Sequence, residues 1–404
     1  MGGPSGPRIS IRRLPITITA ATILAIVAAL SLAQRIPAAA YRYNDLDFVT
    51  FYNWWTDYSN GSDPWVVQSK PLDFRPGLPR PRACNNTPFF IEVFSPLSRL
   101  DQKTAFWIWQ ASQLLCLVAA VLMLARGSDP ALGAPATIIV LSLSLLSRQY
   151  VGQLVYAQVT GMLLVLLIAS WFCARREQHV AAGFCLALAA LLKLYPVTVG
   201  GYFLFGRRWR SLLWAIGFFV AGVMLTHPVH WLELVTHGLS VSYEKVAEAE
   251  LTVLAFVRRS VAHIAGTTIA TAPMFPVMAI TALVDLALLA VAAIATIKSR
   301  ERADLDGLLF GLWIALALLI SPLAWIQETI LLLPAYLFGI LAAWDGLRRS
   351  EPARQTALIA GGAILAGCIA TALIKAIPHP EFSVLLAAFL GGALIHRARV
   401  QSDP

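Results

Sequence analysis

Residues 180–206 read VAAGFCLALAALLKLYPVTVGGYFLFG, an apolar run interrupted by one lysine and one proline. A helix that crosses a membrane needs roughly 20 apolar residues, so the run is long enough to cross. Pro196 stands in its middle, however, where a proline removes a backbone donor and clashes with the preceding turn. Both flanks are basic, with Arg175 and Arg176 before the run and Arg207, Arg208 and Arg210 after it. Lys and Arg collect at the cytoplasmic ends of spans, so a run that is basic at both ends enters and leaves on that side. The stretch therefore predicts two half-length helices in a hairpin, broken at Lys193-Leu194-Tyr195-Pro196.

Outward from this hairpin, apolar blocks recur at 15–36, 104–126, 131–148, 154–174, 211–229, 274–297, 306–322, 329–346, 356–375 and 382–396. The chain of 404 residues is 58% hydrophobic and 13% charged, with a mean hydropathy of +0.69. A soluble protein carries about 25% charged residues. The fold class that follows is all-α and polytopic: ten full spans plus the broken hairpin, in a single integral membrane domain over 1–404. Long uninterrupted blocks exclude a barrel of short alternating strands. The other basic groups, Arg8 to Arg13, Arg126, Lys298 to Arg302, Arg348 with Arg349, and Arg397 with Arg399, fall on one side of the alternation and place both termini in the cytoplasm. The net charge of +9 is spread between the blocks, which argues against the single basic face of a nucleic-acid binder. The first block has the basic start and the Ala38-Ala39-Ala40 end of a secretory signal. Its core exceeds the usual 7 to 15 or so residues, and it is read as a span. Cys116, Cys173, Cys185 and Cys368 sit in apolar blocks and Cys84 in a polar loop, with no spacing that suits a disulfide framework or zinc.

Two loops on the non-cytoplasmic side are long, 37–103 and 230–273, which places any chemistry on the outer face. In the first, Phe48, Phe51, Trp54, Trp55 and Tyr58 recur at helical spacing. They predict an interfacial helix with its rings at headgroup level, followed by a Pro-rich stretch from Pro71 to Pro88.

Several residues in these regions can carry chemistry. Asp45 and Asp47 precede the aromatic helix, where a carboxylate serves either as a general base or as a helix cap. Lys193, at membrane depth between half-helices, marks an anion site, or else snorkels or pairs with a carboxylate. Arg258 and Arg259 in the second long loop fork onto a phosphate or are simply solvated. Gln153 and Gln158 bond a polar headgroup or a neighbouring helix. Glu328 is the remaining outer-side carboxylate, with a solvated interfacial position as its alternative.

In this order the pieces resemble glycosyltransferase family 87, within the GT-C class of polyprenyl-phosphate-sugar-dependent transferases, which includes mycobacterial α-1,2-mannosyltransferases. The resemblance runs over residues 45–340. It rests on Asp47-Phe48 with Phe51-Tyr52, Gly61 to Trp65, Thr87-Pro88-Phe89, Pro96-Leu97 and Phe106-Trp107-Ile108-Trp109. It continues with Ala181-Ala182-Gly183 leading into Lys193-Leu194-Tyr195-Pro196, and with Ser321-Pro322 to Trp325. Three motifs depart from the family pattern. Its Gly-Gln-x-Asn is matched by Ala157-Gln158-Val159-Thr160, its Asn-Gln-Ser by Arg258-Arg259-Ser260, and the His after the Ser-Pro-x-x-Trp turn is Gln327.

The resemblance implies a GT-C fold that moves a sugar, mannose foremost, from a polyprenyl-phosphate donor to a lipid-linked or polymeric glycan by single displacement. Asp47 is then the base; Lys193, Arg258 and Arg259 hold the donor phosphate; and Asp45, Gln158, Tyr195, Gln327 and Glu328 line the substrate site. No cofactor or nucleotide is expected, and no metal, because no second acidic cluster stands beside Asp45 and Asp47. The excess of Arg over Lys fits a GC-rich bacterium and hence its plasma membrane. The chain is expected to act as a monomer among membrane lipids. The competing readings are a carrier or flippase for a lipid-linked sugar and an inactive partner in a glycan-assembly complex. A carrier built on inverted repeats would show a second broken helix, whereas only the break at Lys193 to Pro196 is apparent.

Overall fold

The structure, a computed structural model, describes residues 14–40, 47–65, 84, 86–128, 132–238, 252–321 and 326–346. The helices are α1 (Leu14–Ala40), α2 (Asp47–Ser59), α3 (Pro88–Phe94), α4 (Gln102–Gly127), α5 (Ala134–Leu146), α6 (Arg148–Tyr156), α7 (Thr160–Arg175) and α8 (His179–Leu192). They continue with α9 (Gly200–Phe205), α10 (Trp209–Leu225), α11 (Pro228–Glu233), α12 (Val253–Ala265), α13 (Met274–Ser299), α14 (Asp306–Ile320) and α15 (Leu333–Gly346). No strand occurs among the described residues.

Among the described residues, four helices are long and apolar enough to cross a membrane: α1, α4, α13 and the segment 303–320 that contains α14. Helices α10 and α11, bent by 102° at His227, form a fifth candidate if taken together. Every apolar block up to residue 346 contains helix, but α5, α7 and α8 are shorter than a full crossing. The blocks 356–375 and 382–396 lie outside the described residues, as do Asp45, the Pro-rich 66–83 and the Pro322 to Trp325 turn.

Local sequence chemistry sets the helix ends. Thr87 caps α3, accepting from the Phe90 amide, with Pro88 at the first helical position, where its missing N–H costs nothing. Asp101 caps α4 through the Thr104 amide, and Thr252 caps α12, which ends on Gly266 at φ 63°. The hairpin breaks where Pro196 predicts. Helix α8 stops at Leu192, Lys193 is extended, and a 3-10 turn over Tyr195–Val199 leads into α9. A broken helix leaves carbonyls without partners; here the Thr87 hydroxyl donates to the carbonyls of Leu191 and, at 3.3 Å, Leu192. The first long loop is thereby fastened to the hairpin tip.

Within a bilayer, helices associate through close packing rather than hydrophobic burial, which favours small residues at the contact. Gly183 shows this where α8 meets α10: a Cβ there would stand 2.6 Å from the Ser211 carbonyl and 2.7 Å from the Ala215 amide. Helix α7 packs between α4 and α8, and α14 packs on α15 and on the 3-10 turn of the hairpin.

Two expectations are corrected. The block 154–174 is not one continuous span, because Ala157 adopts a left-handed φ of 50° that ends α6, and α7 starts only at Thr160. The aromatic helix forms as α2 with the predicted rhythm, but its rings face the protein interior instead of the headgroups. Phe48, Phe51, Trp54 and Trp55 are buried. Phe51 and Trp55 meet Phe90 at 5.2 and 5.8 Å, and Trp55 meets Trp109 at 5.5 Å. Helices α3 and α4 supply an aromatic surface that outcompetes the interface, each such pair adding about 0.5 to 1.5 kcal/mol beyond area burial. Cys84, read as a polar-loop residue, is also buried; its amide donates to the Pro64 carbonyl at 3.0 Å, and burial pushes its thiol well above the usual range.

Candidate active site

Four side chains from four separate segments form one polar chain. Asp47 opens α2, Gln158 lies in the break between α6 and α7, Lys193 sits at the hairpin tip, and Glu328 belongs to the 3-10 segment Ile326–Leu332. Gln158 Nε2 donates to Asp47 Oδ2 at 2.5 Å, while Gln158 Oε1 accepts from Lys193 Nζ at 3.4 Å. Lys193 Nζ in turn forms an ion pair with Glu328 Oε1. The Gln158 amide is thus turned with its donor toward a carboxylate and its acceptor toward an ammonium. Glu328 is fully buried and, among the described residues, its Oε2 has no hydrogen-bond partner. The Tyr195 ring lies 5.9 Å from Lys193 Nζ, and its buried hydroxyl likewise has no partner among the described residues.

The break that presents Gln158 is held by side chains of α4 and α6. Trp109 Nε1 donates to the Ala157 carbonyl at 2.6 Å, and Gln110 Nε2 donates to the Leu154 carbonyl at 2.7 Å. Gln153 Nε2 donates to the Gln158 carbonyl and, at 3.5 Å, to Gln113 Oε1, which also accepts from the Met162 amide at 3.3 Å. Gly161 permits this approach, since a Cβ there would stand 2.7 Å from Gln113 Oε1. An irregular backbone at membrane depth is tolerated only where its polar groups are satisfied in this way. Gln110 and Gln113 were not singled out from sequence, although two glutamines three residues apart in an apolar block are the signal that would have found them, and Trp109 entered only as part of the Phe106 to Trp109 motif.

Of the expected site residues, then, Asp47, Gln158, Lys193, Tyr195 and Glu328 come together. The carboxylate alternative for Lys193 is the one observed, and Glu328 is buried instead of solvated. Gln153 binds the neighbouring backbone. Arg258 is also buried, not solvated, and its Nε donates to the Ile269 carbonyl at 2.9 Å, joining α12 to the turn that follows; Arg259 is half-buried one position on. Asp45 and the Gln327 side chain lie outside the described residues.

A second charged cluster occupies the far end of α7, roughly 23 Å away at 1.5 Å per residue. Asp306 accepts from Tyr202 Oη at 2.6 Å, from Trp171 Nε1 at 3.0 Å and from Arg208 at 2.5 Å, with Arg175 Nε at 3.7 Å. The sequence marks Arg175 and Arg208 only as topology signals, but the fold uses both as half-buried counter-ions to the buried Asp306, tying α7, α9 and α14 together.

A polar chain of carboxylate, amide, ammonium and carboxylate, next to a broken helix and beneath an aromatic helix, combines a proton acceptor with a cation. Those are the two groups that a displacement with an anionic leaving group requires. No curated protein matches the chain. Residues 85–322, more than half of it and including Gln158 and Lys193 but neither Asp47 nor Glu328, match the family model described as Glycosyltransferase family 87. The match and the apolar helical architecture agree on a membrane glycosyltransferase, and the chain belongs to glycosyltransferase family 87.

Proposed function

We propose that the protein transfers a sugar, mannose foremost, from a polyprenyl-phosphate donor to a hydroxyl of a lipid-linked or polymeric glycan at the outer face of a bacterial plasma membrane. The observation that carries this reading is the chain Asp47, Gln158, Lys193 and Glu328. The acceptor oxygen attacks the anomeric carbon and forms the new glycosidic bond as the bond from that carbon to the phosphate oxygen breaks. Asp47 takes the hydroxyl proton, and polyprenyl phosphate departs with the electron pair. An ammonium has three donors; two of those on Lys193 are directed at Glu328 and Gln158, and the third goes to the departing phosphate. One displacement inverts the anomeric configuration. Asp47 stands at the first position of α2.

The test is transfer by the purified protein, supplied with a panel of polyprenyl-phosphate sugars and, separately, nucleotide sugars, with membrane glycolipids as acceptors. Transfer from a polyprenyl-phosphate sugar, with inversion, is the expected result. A requirement for a nucleotide sugar overturns the donor assignment. Facilitated passage of intact donor across vesicles without any transfer would replace the enzyme by a carrier.

A further inference from the structure

Beyond the polar chain, a group of metal-ligating side chains gathers where the first long loop meets α11. His230 and Glu233 are spaced i, i+3 on α11, which puts them on one face, and the third member, Asp63, comes from just beyond the end of α2. One ligand atom from each of the three lies within 4.8 Å of the other two. The His230 ring is set by its surroundings: it stacks on the fully buried Trp65 at 4.9 Å and meets the Tyr58 ring at 6.3 Å. The Tyr58 hydroxyl donates to Glu92 Oε1 at 2.7 Å, so the aromatic wall is itself anchored to α3.

We propose that Asp63, His230 and Glu233 bind a divalent transition-metal ion of the zinc type. His230 Nδ1 and Glu233 Oε2 stand 2.9 Å apart. Two ligand atoms at that separation, each about 2.1 Å from a metal, subtend an angle of about 90° at it, so the pair opens by roughly 0.5 Å to reach the tetrahedral angle of zinc. Asp63 is held beside the pair, its Oδ1 accepting from the Trp65 amide at 2.9 Å, and it closes the site by drawing in from within 4.8 Å to the separation of about 3.4 Å between neighbouring ligands of a tetrahedral ion at these bond lengths. An imidazole nitrogen with two carboxylates suits zinc or manganese and is a poor match for magnesium, which prefers oxygen ligands throughout.

The site is separate from the proposed chemistry. Helix α2 alone spans roughly 18 Å between Asp47 and its last turn, so the ion fixes the part of the first long loop just beyond α2 to α11 and takes no part in displacement. Its effect is on the stability of the joint between these two regions, and the proposal does not depend on the identity of the donor or acceptor.

The experiment uses untagged full-length protein in detergent, stripped with a chelator and exchanged into metal-free buffer. Zn²⁺ is titrated calorimetrically, bound metal is counted after desalting, and thermal unfolding is followed with and without the ion. One Zn²⁺ per chain and a raised unfolding temperature are expected, with Mg²⁺ much weaker. His230→Ala, Asp63→Asn and the near-isosteric Glu233→Gln should each weaken Zn²⁺ at least about 10- to 100-fold, the loss that even a supporting group produces. Helical circular dichroism identifies the variants that remain folded, and Glu233→Gln keeps the test valid if His230→Ala does not fold. Absence of bound Zn²⁺ in the unaltered protein, or unchanged binding in the folded variants, overturns the proposal; equal binding of Mg²⁺ overturns the class of ion.

Discussion

Lys193 and Glu328, 135 positions apart in the chain, form an ion pair in which Glu328 is wholly enclosed while 17% of the Lys193 side chain remains exposed. The lysine is therefore neutralised from the protein side and open on the other, so an incoming phosphate takes its remaining donor while the Glu328 charge weakens the attraction. Glu328→Gln keeps the shape and removes that charge. The KM for a polyprenyl-phosphate donor should fall several-fold, while stability drops by up to about 3 kcal/mol through loss of one partner of a buried pair. Steady-state kinetics and thermal unfolding check the two effects, and a rise in KM would show that Glu328 contacts the substrate itself.

Asp47→Asn is isosteric and a far weaker base. Positioned base catalysis is worth about 10² to 10⁴ in rate, so kcat should fall by that factor with donor binding retained. Asp45→Asn should cost much less. Near-normal turnover in Asp47→Asn would move the base elsewhere, with Glu328 the next carboxylate to test.

Gln158→Leu removes both side-chain links of the bridge, but Trp109 and Gln153 still hold the neighbouring carbonyls. Hydrogen bonds to charged groups contribute about 1.5 to 3 kcal/mol each. The variant should fold and yet lose roughly 10- to 100-fold in kcat/KM, which single-turnover assays on protein of verified fold will measure. A loss confined to thermal stability would make Gln158 a structural residue.

Asp306→Leu leaves Arg208, Arg175, Tyr202 and Trp171 facing an apolar group. A charge left fully buried without its partner costs about 3 to 5 kcal/mol; both arginines are a quarter exposed and partly solvated, so the loss should stay below about 3 kcal/mol and still lower the unfolding temperature measurably. Turnover per folded molecule should be preserved, because the cluster is at the other end of α7. Asp306→Asn should be the milder change.

Asp101 provides a pH-dependent cap outside the spans. The Thr104 hydroxyl and amide hold its carboxyl below the usual carboxylate range. A depressed pKa means that the stabilisation is present above the unfolded-state value and is lost as pH falls through the lower folded-state value. Acidification should therefore loosen the start of α4, whereas Asp101→Asn, an equally good cap that does not titrate, should be insensitive. Hydrogen exchange of the α4 amides from about pH 6 to about pH 3, with intrinsic rates corrected for pH, compares the two; identical profiles would remove Asp101 as the titrating group.

The sequence by itself determined the membrane class, most of the apolar helices and the break at Lys193, because apolar length and proline act locally and leave their signature in consecutive residues; the break at Ala157 and the helices α3 and α12 within the two long loops were not legible in it. It also supplied Asp47, Gln158, Lys193 and Glu328 as candidates by residue type, depth and resemblance. Only the tertiary structure decided how they meet, since the Asp47 to Gln158 bond spans 111 positions and the Lys193 to Glu328 pair 135, distances over which no periodicity carries information. The same limit explains the aromatic helix. Its rhythm is a local property, but whether Phe48 to Trp55 face lipid or protein depended on Phe90 and Trp109 arriving from elsewhere. Asp306 shows the converse. A lone acid at the head of an apolar block reads as an ordinary helix start, and its weight comes from two arginines, a tyrosine and a tryptophan that folding delivers to one carboxylate where water is largely excluded.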